Sequence, residues 1–329
     1  MGYYRLFLAL CVVFSHTAFQ IGFNVGKSAV IGFFLISGHA MYNLVNKKYS
    51  SLGGIFPFYI DRALRIYPLY IFFAAISILW ILFNAQNIGF HQSCTPELMG
   101  LNVAIVPLYF QIAPWHLCTL LPQSWSLSLE LVFYVVLPFI IIFWNRWVVL
   151  AIFTLSVSVY LQAYLGIIDT DHYAYRHLSG TLYIFLIGMS FACEGLFWGV
   201  FRWSAWMCSV ILFVIMFSIP SLWELNSNRE IVIGLLIGIP SLELSRKMPS
   251  SKIERFSGNL SYAVFLSHYL VYLVVTQFFH LDYGVKLFSI VAIISFIIGS
   301  ISHIYIEKPI MTRFGRRRDD PQPAIAVVI

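Results

Sequence analysis

Residues 124–143 read SWSLSLELVFYVVLPFIIIF, a stretch of twenty residues with one charged side chain, Glu130. A helix needs about 20 mostly apolar residues to cross the hydrocarbon core of a bilayer. The whole chain of 329 residues has a similar character, since 60% of it is hydrophobic, 18% aromatic and only 10% charged. Soluble domains carry roughly 25% charged residues. The sequence therefore excludes a soluble enzyme and predicts an all-α, polytopic membrane protein.

Outward from this stretch, hydropathy and the positions of charged residues predict about ten membrane spans. They cover residues 5–24, 28–45, 63–84, 124–143, 147–166, 179–197, 203–219, 229–244, 259–279 and 286–306. The segment Leu98–Ile112 is apolar but short and contains Pro107, so we expect an interfacial or re-entrant piece rather than a span. Residues 1–310 are expected to form one integral membrane domain, with no hydrolase-like domain after it. Residues 311–329 are expected to form a basic, disordered cytoplasmic tail.

The basic residues predict the orientation of these spans. With the N-terminus inside, 16 of the twenty Lys and Arg residues fall on the cytoplasmic side and 4 on the other side. Cytoplasmic loops carry such an excess, so both termini are predicted to be cytoplasmic. The net charge of +6 then reflects orientation and attraction to anionic lipid, not nucleic-acid binding. Cys94 and Cys118 share one external loop; they either form a disulfide, if that loop faces an oxidising periplasm, or remain two thiols.

Ionisable groups inside a membrane are costly and often functional. Arg5 and His16 lie eleven residues apart on the first span, which places them about 16 Å apart along the axis and on nearly the same face. His16 is either a packing residue or part of a polar groove that begins at Arg5. Glu130 lies about 9 Å deep in its own span and needs a partner. His16, at a similar depth, is the predicted partner, because a carboxylate can orient a histidine that acts as a general base.

Three further sets of residues are candidates for a structural or a functional role. Ser37 and Gly38 favour either close helix approach or contact with a ligand. Arg62 and Arg65 form either a positive anchor at the cytoplasmic surface or a site for phosphates, to which Arg offers bidentate hydrogen bonds. Glu307 is expected to pair with its neighbour Lys308 or with Arg313.

Together these motifs resemble the membrane-bound acyltransferase-3 family. The matching stretches, in family order, are Arg5 with His16, Phe33–Gly38, Arg62–Tyr70, Trp125–Glu130, Ser261–His268 and Glu307–Pro309. The sequence departs from the family at Phe265, where Tyr is usual, and at Leu131, where a second acidic residue is frequent. Six motifs in order across residues 5–309 cover nearly the whole chain.

The resemblance implies transfer of an acyl group, most often acetyl, from cytoplasmic acyl-CoA to a hydroxyl of an envelope or exported polysaccharide or glycolipid. Acetyl-CoA would be the co-substrate, with no metal, and the protein would lie in a bacterial inner membrane. Expected partners are the acyl-CoA donor, a polysaccharide or lipid-linked glycan, the lipid bilayer and envelope polysaccharide assembly proteins. His16 and Glu130 would be catalytic. The expected binding residues are Arg5, Ser37, Arg62, Arg65, Trp125, Ser126, Ser128, Tyr262 and His268.

Two other classes of function compete with this interpretation. A carrier or flippase for a lipid-linked glycan would not depend on acyl-CoA and would tolerate substitution of His16. A receptor or scaffold for an envelope assembly complex would leave the buried His16–Glu130 pair unexplained. Trp125 likewise has two interpretations, a stacking face for a sugar ring or a tryptophan of the interfacial belt.

Overall fold

The computed structural model describes residues 1–19, 22–83, 94–109, 118–143 and 145–314, and these ranges contain helices and no strands. The helices are α1 (Gly2–Thr17), α2 (Val25–Lys48), α3 (Ile55–Phe83), α4 (Pro96–Val103), α5 (Ser124–Ile142), α6 (Arg146–Tyr164), α7 (Leu178–Ser190), α8 (Leu196–Ser218), α9 (Pro220–Trp223), α10 (Asn228–Lys247), α11 (Lys252–Phe279), α12 (Val285–Ser302) and α13 (Lys308–Phe314). Two π-helical turns, Thr170–Arg176 and His303–Glu307, precede α7 and α13. The all-α prediction is confirmed.

Seven helical segments of the described chain are long and apolar enough to cross a membrane. They are Val25–Lys48, Leu52–Phe83, Ser124–Ile142, Arg146–Tyr164, Leu196–Ser218, Lys252–Phe279 and Val285–Phe314. The other three predicted spans correspond to α1 and α7, with 16 and 13 residues, and to α10, which has charged residues near both ends. These three helices pack against α2, so neighbouring helices cover much of their surface. The count of ten spans stays a prediction.

Helices α1, α3 and α11 run parallel to one another. Gly2 at the start of α1 lies against Glu254 near the start of α11, and Tyr262 of α11 donates a hydrogen bond of 2.8 Å to the carbonyl of Ile66 in α3. We call the end where these helices begin the arginine end, because it carries Arg5, Arg62 and Arg65. The opposite end is where α1 finishes and α2 begins.

The described parts of the segment after α3, residues 94–109 and 118–123, pack against the helix bundle. Helix α4 has 8 residues, about 12 Å of helix, which is too short to span a bilayer. The side chain of Asn102, 2% exposed, donates to the carbonyls of Leu98 and Cys118 and accepts from the amide of Leu120. A Cys94–Cys118 disulfide closes this segment, so the disulfide alternative is the one observed. The expectation of a non-spanning segment is confirmed for its described part.

Helix α1 ends earlier, and α2 begins earlier, than the sequence predicted. Helix α1 ends at Thr17, although the predicted span continued to residue 24. Gly22 adopts a left-handed conformation, with φ of 76°, and the Asn24 side chain accepts a hydrogen bond of 3.0 Å from the Lys27 amide. Asn at this position satisfies an otherwise unpaired amide at a helix start, which explains the early start of α2.

Gly38 allows close helix approach, whereas Ser37 lies in a position where it could contact a ligand. A Cβ atom on Gly38 would overlap the carbonyl of Phe185 in α7, and one on Gly188 of α7 would overlap the carbonyl of Leu35 in α2. The two backbones therefore pack in direct contact through these glycines. Ser37 faces the other way, into a cavity.

The C-terminal boundary differs from the predicted one. Helix α13 continues through residues 311–314, which were expected to begin the disordered tail. The rest of the expected tail, residues 315–329, lies outside the described residues.

Candidate active site

A cavity opens among α1, α2, α3, α5 and α11 in the half of the bundle nearer the arginine end. It encloses about 870 Å³ of empty space, part of which is open to solvent. Seven of the predicted site residues line it, namely Arg5, Ser37, Arg62, Arg65, Ser126, Glu130 and Tyr262. Residues from five helices that are distant in sequence thus meet in one place.

Two hydroxyl groups hold the Glu130 carboxylate in this cavity. The Ser37 hydroxyl donates to Glu130 Oε1 over 2.5 Å, and the Tyr134 hydroxyl donates to the same oxygen. The Ser37 and Tyr134 oxygens lie 3.3 Å from each other. These bonds offset part of the cost of placing a carboxylate among apolar helices.

The predicted pairing of Glu130 with His16 is wrong. His16 lies at the end of α1, where its ring centroid is 5.3 Å from that of His268 and 5.7 Å from that of Tyr269. The prediction compared depths along two helices, and depth gives no information on which helices are neighbours. Helix α2 packs against both α1 and α5, and Glu130 finds its partner Ser37 on α2.

The His16 side chain does not line the cavity either, so the expected groove from Arg5 does not reach it. The cavity wall on that side contains Phe33 and Phe265, whose ring centroids are 6.0 Å apart. The Phe265 ring is in turn 6.1 Å from the His268 ring. His16 and His268 therefore lie behind a wall of two phenylalanines, toward the opposite end.

Acidic partners fix two of the three cavity arginines. Arg62 forms an ion pair with Asp61, and Arg65 forms one with Glu307, which is fully buried. His303 lies 2.8 Å from the second oxygen of Glu307.

The expected pairing of Glu307 with Lys308 or Arg313 is therefore wrong. The π-helical turn His303–Glu307 directs the carboxylate inward to Arg65, away from the neighbouring basic residues in sequence.

Arg5 differs from the other two arginines. Its guanidinium donates no hydrogen bond and forms no ion pair with any residue in the described ranges, although it lines the same cavity. A guanidinium offers five N–H donors in a fixed planar arrangement. These donors are available to a ligand.

Three predicted binding residues have other partners. The Arg176 guanidinium lies 4.7 Å from the Trp125 ring centroid and the Tyr175 ring lies 4.9 Å from it, so Arg176 covers the ring expected to stack on a sugar. The Ser128 hydroxyl donates to the carbonyl of Val106 over 3.0 Å. His268 is fully buried beside His16.

The sequence interpretation missed the residues that hold the site in place. Tyr134 lies one helical turn after Glu130, and this i, i+4 spacing was a usable signal because such side chains are neighbours on a helix. Asn259, which accepts from Arg65 over 3.4 Å, carried no comparable signal.

Comparison with known families connects this cavity to a chemistry. The acyltransferase-3 family model, described as an acyltransferase domain, matches residues 2–305. That range includes every residue that lines the cavity. No solved structure matches the chain significantly.

Three curated proteins are similar to the chain. An uncharacterised protein of Aquifex aeolicus is 28% identical over 222 residues, covering 63% of this chain and 93% of the relative. The exopolysaccharide production protein ExoZ of Rhizobium meliloti is 23% identical over 319 residues, covering 92% and 96%. Nodulation protein 10 of Rhizobium leguminosarum bv. viciae is 29% identical over 167 residues, covering 44% of each chain. Because the family model spans almost the entire helical bundle, the chain belongs to the membrane-bound acyltransferase-3 family.

Proposed function

We propose that the protein is an O-acetyltransferase of the bacterial inner membrane, which transfers acetyl from cytoplasmic acetyl-CoA to a hydroxyl of an exported polysaccharide or glycolipid. Family membership supports acyl transfer by a multi-pass membrane protein. The name of one relative, an exopolysaccharide production protein, supports a polysaccharide acceptor. The observation that carries the proposal is the cavity with three arginines, one of which has unused donors.

Acetyl-CoA would bind in this cavity through its phosphate groups. Arg binds phosphate oxygens through two parallel hydrogen bonds, and a rigid guanidinium loses little freedom when it does so. Asp61 and Glu307 already hold Arg62 and Arg65 in position. Arg5 would supply the donors that have no partner within the protein.

His16 would act on the acceptor hydroxyl from the opposite end of the bundle. Its ring takes the hydroxyl proton while the acceptor oxygen forms a bond to the thioester carbonyl carbon. The carbon–sulfur bond then breaks, and the departing CoA thiolate receives the proton from His16. The acetyl end of the donor must pass the wall formed by Phe33 and Phe265 to reach this place. Glu130, held by Ser37 and Tyr134, would supply negative charge opposite the arginines.

The two substrates would thus approach from the two ends of the bundle. Acetyl-CoA enters at the arginine end, which the basic residues predict to be cytoplasmic. The glycan enters at the opposite end, where His16 is half-buried. Proteins that assemble envelope polysaccharide would bring the acceptor to this end.

Steady-state transfer of labelled acetyl by the purified protein tests the donor site. Replacing Arg5, Arg62 or Arg65 with Ala should raise the KM for acetyl-CoA about 10-fold or more, with a smaller change in kcat, because each charged hydrogen bond contributes roughly 1.5–3 kcal/mol. Arg255→Ala is the matched control, since Arg255 is an exposed arginine on α11 and does not line the cavity. An unchanged KM in all three variants contradicts the assignment.

Mass spectrometry of exported glycans tests the acceptor. Cells that lack the protein should lose O-acetyl groups from one glycan, and the wild-type gene should restore them where His16→Ala does not. Export of a glycan that fails altogether, without a change in acetylation, would instead favour a carrier or flippase.

A further inference from the structure

His268 of α11 has one nitrogen in use and one without a partner. Its Nδ1 lies 2.8 Å from the carbonyl oxygen of Phe265, three residues earlier on the same helix. A carbonyl oxygen only accepts hydrogen bonds, so Nδ1 carries the proton. In the neutral ring Nε2 is then a bare lone pair, able to accept a hydrogen bond.

This Nε2 atom is fully buried and has no hydrogen-bond partner among the described residues. Leaving a buried acceptor without a partner destabilises the folded state, because the atom has lost its hydrogen bonds to water. Native proteins pair most buried polar groups. We therefore expect the unpaired Nε2 atom to have a partner during the reaction.

Among the ring contacts that the described residues make with His268, only the one with His16 can supply the missing partner. The described ring contacts of His268 are with Phe265, at 6.1 Å, and with His16, at 5.3 Å. Phenylalanine has no N–H group. A small rotation of the half-buried His16 side chain would bring its N–H group to His268 Nε2.

We propose that His268 is the positioning residue for His16, in the role that the sequence had suggested for Glu130. The N–H group of His16 donates to His268 Nε2, which fixes the tautomer of His16 and leaves its other nitrogen bare for the acceptor hydroxyl. His268 itself neither gains nor loses a proton during the transfer. This inference rests on the proposed acetyl transfer.

Two substitutions of His268 separate its two nitrogens. In His268→Asn, the amide nitrogen can take the place of Nδ1 and still donate to Phe265, but nothing replaces Nε2. In His268→Gln, the longer side chain places an amide oxygen, which is an acceptor, near the position of Nε2. The pair therefore distinguishes loss of the acceptor from loss of local structure.

Purified full-length variants would be compared in acetyl transfer, acetyl-CoA binding and thermal unfolding. We expect His268→Asn to lower kcat about 100-fold with the KM for acetyl-CoA within about 2-fold, since base catalysis contributes roughly 10²–10⁴ in rate. His268→Gln should keep a kcat at least about 10-fold above that of His268→Asn. In a His16→Ala background, His268→Asn should cause little further loss, because groups that act as a unit are not additive.

Three results would overturn the inference. They are a near-normal kcat in His268→Asn, an equal loss in the Asn and Gln variants together with lowered unfolding temperatures, and a further large loss in the His16→Ala background. If His268→Asn does not fold, His268→Gln decides alone, since a kcat close to that of the wild type supports the acceptor role and a lost kcat overturns it. If the wild-type protein itself transfers no acetyl, the proposed function is overturned, and the inference that rests on it falls too. If the wild-type protein is active and one of the three results above is found, only the His268 role is overturned.

Discussion

Glu130 and His16 are both polar residues in apolar helices, but their side chains contact different residues. Two hydroxyls satisfy Glu130 within the arginine-lined cavity, whereas His16 packs against His268 beyond the phenylalanine wall. The molecule therefore has two separate polar sites, one around Glu130 and one around His16, rather than one His–carboxylate pair.

Substitutions at these two places should act independently. His16→Ala should reduce kcat/KM about 10²-fold or more, and Glu130→Gln should reduce the same kcat/KM by a separate factor of about 10. Since the two side chains share no partner, the double variant should lose the product of the two factors within about 2-fold. Steady-state kinetics of the three purified variants measures this. A double variant no worse than His16→Ala would mean that Glu130 works through His16 after all.

The sequence identified most of the polar residues around the cavity but not how they pair. Residue type and membrane depth were enough to single out Arg5, Glu130 and Arg65. Pairing depends on which helices are neighbours and on how each is rotated about its axis, and neither follows from hydropathy. Hence Glu307 was assigned to neighbours in sequence, although it contacts Arg65 on another helix.

Asp171, in the turn before α7, joins three parts of the chain. Its carboxylate contacts Lys27 over 2.8 Å, Arg176 over 2.7 Å, and the Ser227 hydroxyl. Burial alone would raise the pKa of Asp171, but Arg176, Lys27 and Ser227 together lower this pKa to about 2.

This lowered pKa predicts how stability depends on pH. An unfolded Asp has a pKa near 3.9, so the contribution of Asp171 is complete above about pH 4 and is lost as pH falls through about 2. Asp171→Asn should cost on the order of 1–2 kcal/mol at pH 6, allowing for partial exposure, and progressively less below pH 4. Thermal unfolding in detergent between pH 2 and 7 tests this. Asp282→Asn, at an exposed position, should show no such dependence; a constant cost of Asp171→Asn at every pH would contradict the prediction.

Among the helices, α2 occupies the centre, since α1, α7 and α10 pack against it. Its contact with α7 has no room for side chains at Gly38 and Gly188. A methyl group at Gly38 would push the helices apart and shift Ser37, the preceding residue, out of the cavity.

Gly38→Ala should therefore lower both stability and activity. Overpacking typically costs about 1–3 kcal/mol, and the displaced Ser37 should release Glu130. Gly199→Ala in α8 is the control, since a Cβ atom there meets only the end of the Arg202 side chain at 3.8 Å. Unfolding temperatures and transfer rates of both variants would be measured in the same detergent. Equal effects of the two substitutions would show that α2 and α7 separate easily.

The sequence predicted which stretches form helices better than it predicted where each helix begins and ends. Long apolar stretches such as that of α5 were recognised because lipid demands them, and the structure places helices at all ten predicted spans. Helices α1 and α7 were predicted too long, because helices that other helices surround need not span the full hydrocarbon thickness alone. Gly22 and Asn24, which lie between α1 and α2 in the structure, fell inside the predicted first span.

For the whole molecule, the excess of basic residues predicts ten spans with both ends of the chain in the cytoplasm. Reporter fusions after residues 25, 90, 172 and 282 should all report an external location. Fusions after residues 48, 146 and 200 should report the cytoplasm and serve as controls. A cytoplasmic signal after residue 172 would reverse the orientation of the second half of the chain.

The Cys94–Cys118 disulfide adds a consequence for biogenesis. Thiols in the bacterial cytosol are kept reduced, whereas the periplasm oxidises them. In the predicted orientation, a molecule in which these two cysteines are joined would have delivered this segment across the membrane before the bond formed. The bond would then distinguish chains that have inserted in this orientation from chains that have not. Alkylation of free thiols before and after reduction would count the fraction of newly made chains that inserted correctly.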